Sequence, residues 1–403
     1  MRQIIYAWNY LEWGGAQIHL LAIIKEARKE FDIVVVLPEG SNEQFIRFLD
    51  AENVAYEFFK GHITGEHAFG LKNKLDKHKQ KMISEWAMLK HLEKFNLTNN
   101  IVHVDLSPQQ SIVSLIRLSI RTRVFITAHN ALPAVPKWRD WLWKLKFGTI
   151  SQFKNFRVFC SNKDAKNYFK KYYTTDFGNK IKVTYTSINP PEIDASLKEN
   201  INRNELLAKY NLPKDKFIVL CVGQFIDRKG RWTFLDAAKK VCEKTDDILF
   251  VWISNSKPNA EDLKKANEYR LGEKFRLITS DEVGSERTDL FRVFRLADVF
   301  ALPSFVEGLP ISLLEAMALG IPSISTNVYA IPEAVKHLET GILIEAGDDD
   351  ALADAILILR NDEKLREKLS KNGREWVLKN FDEREAARIA IAAYKESYGE
   401  KSR

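Results

Sequence analysis

Two glutamates, Glu307 and Glu315, frame the run Glu307-Gly308-Leu309-Pro310-Ile311-Ser312-Leu313-Leu314-Glu315, which follows Leu302-Pro303-Ser304. The apolar stretch Val299–Leu302 reads as a strand that ends at Pro303, the polar loop holds Glu307, and a helix is expected near Ile311. Glu315 then falls about one turn inside that helix, while the N–H groups of Ile311 and Ser312 open it without intrahelical partners and suit an anion. A carboxylate accepts hydrogen bonds from the adjacent hydroxyls of a ribose or hexose, so two carboxylates beside an anion site suit a sugar joined to a diphosphate. The plainer alternative is a loop-capping Glu307 and an ordinary helical Glu315.

A second constellation, Val222-Gly223-Gln224-Phe225-Ile226-Asp227-Arg228-Lys229-Gly230, ends a strand in glycine and delivers two cations before a helix that starts near Gly230. Fixed cations there would neutralise charge developing on a departing diphosphate, each charge-assisted hydrogen bond contributing about 1.5–3 kcal/mol; otherwise Arg228 and Lys229 are a solvated pair. The third, Trp13-Gly14-Gly15-Ala16-Gln17, follows the first strand and opens a helix, so Gly14 and Gly15 either admit a ligand close to the backbone or make a tight turn. The fourth is His129, at the end of Val124-Phe125-Ile126-Thr127-Ala128-His129-Asn130, a strand-end group that is either structural or part of a cleft, with Asn130 placed to orient it. No G-x-G-x-x-G and no G-x-x-x-x-G-K-[ST] occurs, which disfavours a dinucleotide oxidoreductase and a P-loop ATPase.

The Glu307–Glu315 string closely resembles the E-x7-E motif of the retaining GT-B glycosyltransferases of the family 4 type, in its Gly-Leu-Pro variant. The resemblance implies that Glu315 holds the nucleotide ribose, that Glu307 meets the hydroxyls of the transferred sugar, and that Gly308, Leu309, Ile311 and Ser312 line the donor. Gly223, Gln224, Arg228 and Lys229 resemble the family's phosphate loop, Gly14-Gly15 its Gly-Gly loop and His129 its sugar-contacting histidine. A nucleotide-sugar donor, retention of configuration, and neither cofactor nor metal are also implied. Gln224 replaces a common arginine, so Arg228 is expected to supply that cation; Tyr329-Ala330 replaces a Gly-Gly ahead of Pro332-Glu333, while Thr340-Gly341-Ile342-Leu343-Ile344 matches well. The match is strong over about 217–350 and weaker but in order over 1–190.

These residues need elements to carry them. Short apolar runs recur at Ile4–Trp8, Ile33–Leu37, Val54–Phe58, Ile101–Val104, Val124–Thr127, Val158–Cys160 and Val183–Tyr185, then at Phe217–Val222, Ile248–Ile253, Phe275–Ile278, Val299–Leu302, Ser323–Thr326 and Ile342–Ile344. Amphipathic stretches of helical length lie between most of them, which predicts an α/β chain of two Rossmann-like, doubly wound parallel-sheet domains facing a central cleft. The expected division is an acceptor domain at 1–190 and a nucleotide-sugar domain at 191–382, with Asn189-Pro190-Pro191 as the linker. A helix over 383–403 is expected to cross back to the first domain.

The chain has 403 residues and a net charge of +7, unevenly spread. Residues 1–190 hold 28 Lys and Arg against 17 Asp and Glu, and the remainder 33 against 37, so the first half is expected to meet something anionic. No nucleic-acid-binding motif is recognisable, which favours an anionic membrane surface or a phosphate-bearing acceptor, either a glycan or a lipid-linked one. Residues 137–157 interleave Trp with Lys and Arg, as a peripheral membrane contact would, or as a core helix with a solvated basic side would. Three cysteines at unrelated spacings and no signal-like apolar core lead to the expectation of a cytoplasmic chain, placed by that contact on the membrane's cytoplasmic face. A sugar-nucleotide epimerase, a glycan phosphorylase or a non-catalytic nucleotide-sugar binder remain open alternatives.

Overall fold

The computed structural model describes residues 2–9, 11, 14–61, 71–254, 256–284 and 286–399. Trp13 of the glycine-rich motif lies outside them. The chain divides into two compact units, Met1–Tyr185 with Glu383–Arg403, and Thr186–Asp382.

The first unit carries a parallel sheet of β1 (Gln3–Ala7), β2 (Asp32–Pro38), β3 (Ala55–Phe59), β4 (Ile101–Val104), β5 (Arg123–Ala128), β6 (Phe156–Cys160) and β7 (Lys182–Val183). Their order is β3-β2-β1-β4-β5-β6-β7. Because side chains alternate across a strand, β1 feeds both faces: Ile4 and Tyr6 enter one core, Ile5 and Ala7 the other. The first core closes under Leu20, Ile23 and Ile24 of the helix Gly15–Ala27 and under Ala390 and Tyr394 of the helix Glu383–Ser397. The second closes under the helices Leu71–Leu92, Pro108–Arg121 and Lys137–Ile150, through Met88, Leu115, Leu118, Trp143 and Phe147.

The second unit carries β8 (Phe217–Val222), β9 (Ile248–Ser254), β10 (Phe275–Thr279), β11 (Val299–Leu302), β12 (Ser323–Thr326) and β13 (Ile342–Ile344), in the order β10-β9-β8-β11-β12-β13 and parallel throughout. Every residue of β9, β11 and β12 is buried, as expected of strands with helices on both faces. The order reverses direction between β8 and β11. At such a switch point the two outgoing loops diverge to opposite sides of the sheet and leave a crevice at the carboxyl ends of the strands.

Asn189-Pro190-Pro191, expected as the linker, opens a helix, Pro190–Lys198, with Asn189 accepting from the Glu192 N–H and proline in the first turn. The first helical positions need no N–H donor, and the fixed proline φ already matches a helix there, so prolines can open one. The division between the units falls earlier, after Tyr185. Ile188 pairs with Asp382 in a parallel bridge, its N–H 2.9 Å from the Phe381 carbonyl, so the entry and exit of the second unit are side by side.

Candidate functional site

At the switch point of the second sheet, both neighbouring strands run into loops that carry charge. After β8, Asp227–Lys229 makes a single 3₁₀ turn and Gly230 caps the helix Arg231–Lys244 with a left-handed φ of 74°. A Cβ at Gly230 would lie 1.9 Å from the Pro303 carbonyl oxygen, so glycine alone lets this loop meet the one after β11. The Phe305 N–H donates to the Arg228 carbonyl at 2.9 Å and laces the same two loops. That lacing turns Lys229 inward: its Nζ lies 2.5 Å from Glu307 Oε1, which also accepts from Ser304 Oγ at 2.8 Å. Lys229 and Glu307 are both withdrawn from water, with side-chain exposures of 13% and 6%. Among the described residues, Glu307 Oε2 has no partner.

Gly223 lies against the Lys229 stem, and its carbonyl accepts from Trp252 Nε1 at 2.8 Å. Gln224 is half-buried beside it. The structure separates the two basic residues: Lys229 is half-buried on Glu307, whereas the Arg228 side chain is exposed and Arg228 joins the cluster through its backbone.

The helix Ile311–Ala318 begins at Pro310, whose carbonyl accepts from Leu313 and Leu314. The N–H groups of Ile311 and Ser312 therefore have no partner within the helix. Ser312 Oγ donates to the Val222 carbonyl at 3.0 Å, which pins this helix start to the end of β8. Gly308 is half-buried and Leu309 buried, so the turn into the helix is packed rather than loose. One turn in, Glu315 is buried, with Oε1 2.5 Å from Arg287 Nη2; Arg287 Nε lies 3.4 Å from Glu192 Oε2. Burial pushes the Glu315 carboxyl up to about 7; the Arg287 guanidinium opposes this and the Glu192 carboxylate adds to it. Each of the two glutamates thus has one oxygen held by a cation, and the helix-start donors lie between them in the chain.

Arg287 and Glu192 were not anticipated from the sequence. The one available signal was a cation in the first turn of the helix Arg287–Phe294, where the helix dipole disfavours it and a nearby carboxylate is needed to hold it.

Gly14, Gly15 and His129 belong to the first unit and form a separate group at the carboxyl end of its sheet. Gly14 precedes the helix Gly15–Ala27 with an extended backbone, and a Cβ there would meet only Gln17 Oε1, at an ordinary 3.6 Å. His129 follows β5, and its carbonyl accepts from Asn162 Nδ2 at 2.9 Å and Ser161 Oγ at 3.1 Å; these two residues, not Asn130, fix the strand end. The His129 ring meets that of His19 edge-on at 5.7 Å. Burial lowers the pKa of both imidazoles, with Asp105 opposing it at His129, so both are neutral near pH 7. Among the described residues, His129 Nε2 and His19 Nδ1 are buried without a hydrogen-bond partner. Buried polar groups are normally hydrogen-bonded, so these two nitrogens stand out.

At Tyr329, where glycine would be usual, φ is 48°, so the left-handed backbone persists without glycine. No group of three or more His, Cys, Asp or Glu side chains among the described residues is arranged to hold a metal ion.

Comparison with known proteins bears on the family and the fold. Residues 202–376 match the model of the family described as glycosyl transferases group 1. Over 53% of this chain and 56% of its own length, the GDP-mannose-dependent alpha-(1-6)-phosphatidylinositol monomannoside mannosyltransferase of Mycobacterium tuberculosis is 29% identical. The UDP-Gal:alpha-D-GlcNAc-diphosphoundecaprenol alpha-1,3-galactosyltransferase of Escherichia coli is 31% identical over 45% of this chain and 46% of its own. The chain spans about half the length of the curated relatives it matches. A glycosyltransferase from Rickettsia africae superposes with a TM-score of 0.76 at 17% identity, covering 98% of both chains. Anabaena Alr3699/HepE, solved with UDP and glucose, gives 0.73 at 16% identity, covering 98% of this chain and 100% of its own. These structures share the two-domain Rossmann-like fold of the GT-B glycosyltransferases.

Proposed function

We propose that this chain, whose residues 202–376 match the model described as glycosyl transferases group 1, moves a hexose or related sugar from a UDP- or GDP-linked donor to a glycan or lipid-linked acceptor, with retention of configuration. The observation that carries the proposal is the half-committed Glu307: buried, with Oε1 taken by Lys229 and Ser304, and Oε2 unpartnered at the switch point of a nucleotide-binding type of sheet. Sugar hydroxyls donate to Oε2. An ammonium has three donors, so Lys229 keeps one on Glu307 and turns the others to the diphosphate. The Ile311 and Ser312 N–H groups bind a phosphate oxygen, and the exposed Arg228 closes on the outer one.

Glu315 accepts from the ribose diol. Arg287 holds Oε1, which leaves Oε2 for that task. Charge on the leaving diphosphate is met by Lys229, Arg228 and the helix start, with no metal ion, and such preorganised electrostatics is usually the largest catalytic contribution. In the first unit, neutral His129 offers Nε2 to a ligand hydroxyl without adding a positive charge, and the backbone at Gly14 and Gly15 admits a close approach.

A thermal-shift panel of UDP, GDP and their sugar conjugates tests the proposal. A ligand at 100 times its dissociation constant adds about 2.7 kcal/mol of stability, so the matching base and sugar raise the melting temperature most. If no nucleotide shifts the wild-type chain, the assignment of Glu315 and the helix start is wrong. If nucleotides bind but Glu307→Gln transfers sugar at the wild-type rate, the role of Glu307 is wrong.

A further inference from the structure

The helix Lys137–Ile150 is apolar on two opposite sides. Trp143, Phe147 and Ile150 are buried against the first sheet. Trp138, Trp141, Leu142 and Leu145, spaced i, i+3, i+4 and i+7, form a second stripe turned outward, with Trp138 66%, Trp141 62% and Leu145 55% exposed. A helix serving one core carries polar residues on that side. The two neighbouring helices also expose large apolar side chains: Trp86 on Leu71–Leu92 is 57% exposed and Val113 on Pro108–Arg121 is 76% exposed. The three helices lie side by side over one sheet face, joined by Ser111 Oγ to Glu85 at 2.7 Å and by Lys146 Nζ to the Gln109 carbonyl at 2.9 Å. They hold nine of the fifteen exposed large apolar side chains among the described residues, so the exposure is concentrated rather than scattered.

Charge identifies the occupant. In sequence the three helices carry 12 Lys and Arg against 3 Asp and Glu, more excess charge than the whole chain's +7. Asp140, the one acid on Lys137–Ile150, is already held by Tyr172 at 2.6 Å and Lys144 at 3.0 Å. Protein–protein interfaces are depleted in lysine, whereas a bilayer interface takes indole rings at headgroup depth and lysines on lipid phosphate. We propose that these three helices form a docking face for an anionic lipid bilayer, with Trp86, Trp138, Trp141 and Leu145 entering the headgroup layer and the surrounding cations bound to lipid phosphate. The face is independent of the donor site and stands whether or not the donor assignment does.

Co-sedimentation of the full chain with vesicles of phosphatidylcholine, alone or mixed with phosphatidylglycerol, tests this. The chain is expected to bind the mixed vesicles at least about tenfold more tightly than the neutral ones, and less tightly as salt rises. Trp138→Ser/Trp141→Ser/Leu145→Ser is expected to lose about tenfold or more, together with any blue shift of tryptophan emission on vesicles. Lys137→Glu/Lys144→Glu, which touches only exposed side chains, is expected to lose a similar factor on mixed vesicles alone. Both variants should keep the wild-type circular dichroism and nucleotide-induced thermal shift. Absence of wild-type binding to mixed vesicles overturns the proposal, as does equal binding by wild type and both variants. So does a concentration-dependent dimer that the triple substitution abolishes while vesicle binding persists.

Discussion

Buried Glu307 and half-buried Lys229 form an ion pair largely withdrawn from water, and such a pair contributes little net stability compared with apolar side chains of the same volume, because desolvation offsets the attraction. Removing one partner is different. Lys229→Met strands a buried carboxylate and is expected to cost about 3–5 kcal/mol, read by urea denaturation. Lys229→Met/Glu307→Gln should recover most of that loss while sugar transfer stays roughly 10²–10³-fold down; recovery of activity along with stability would make the pair merely structural. Glu315 gives a second expectation. Its carboxyl sits at about 7 in the fold against an ordinary 4.5, so its contribution to stability is present below 4.5 and is lost as pH rises through about 7. Ribose hydroxyls bond best to the ionised form, so nucleotide affinity should strengthen over the same rise, opposite in sign to stability. Calorimetric titration across pH checks this, and Glu315→Gln should flatten the profile and weaken binding roughly ten- to a hundredfold. Glu307, Glu315 and Lys229 were legible because a strand end, a polar loop and a helix start follow one another in the chain. Arg287, Glu192 and His19 were not, because their contacts come from elements far away in sequence.

Elements set these side chains through a few backbone positions. Gly230 combines a left-handed φ with contact against Pro303, and it is the point at which the Lys229 and Glu307 loops meet. Gly230→Ala adds conformational strain and a clash with a carbonyl oxygen, neither relieved by a rotamer change, and is expected to destabilise by more than about 2 kcal/mol. It should also lower nucleotide affinity, whereas Gly148→Ala, where a Cβ meets nothing within 4 Å, should change neither; paired denaturation curves and thermal shifts read both outcomes. The strands themselves were legible: each run named from sequence overlaps a strand, and β9 and β11 are the plainest because a parallel strand covered on both faces needs a nearly unbroken apolar run, whereas β12 buries Ser323, Ser325 and Thr326 by donating their hydroxyls to backbone carbonyls. Ends shifted by a residue or two, since sheet edges depend on partners the sequence does not display. The helix opening at Pro190-Pro191 was not legible, because proline both interrupts helices and opens them, and only the neighbouring Asn189 cap separates the two outcomes.

Across the whole molecule, the chain leaves its first unit at Tyr185 and returns to it at Glu383, so the first fold is complete only after the second has been made. The returning helix is held by more than apolar contact. Tyr394, fully buried, shares its hydroxyl with Tyr6 Oη at 3.1 Å and His103 Nδ1 at 2.7 Å, and His103 Nε2 reaches Thr127 Oγ1 at 2.9 Å. Burial holds the His103 pKa down at about 3, so the network is neutral and costs no charge desolvation at physiological pH. Tyr394→Phe keeps the ring and leaves His103 Nδ1 and Tyr6 without that partner, an expected loss of about 1–3 kcal/mol. Tyr394→Ala removes the ring as well and should cost about 3–5 kcal/mol or more, within reach of a domain's whole stability. The damage belongs to the first unit, while the donor-site residues Lys229, Glu307 and Glu315 all lie in the second. Calorimetry of Tyr394→Ala should therefore show one transition lowered and a second unchanged, with only the second still raised by nucleotide. A single transition that falls as a whole would mean that the two units unfold as one, and that the returning helix stabilises the donor site as well as its own core.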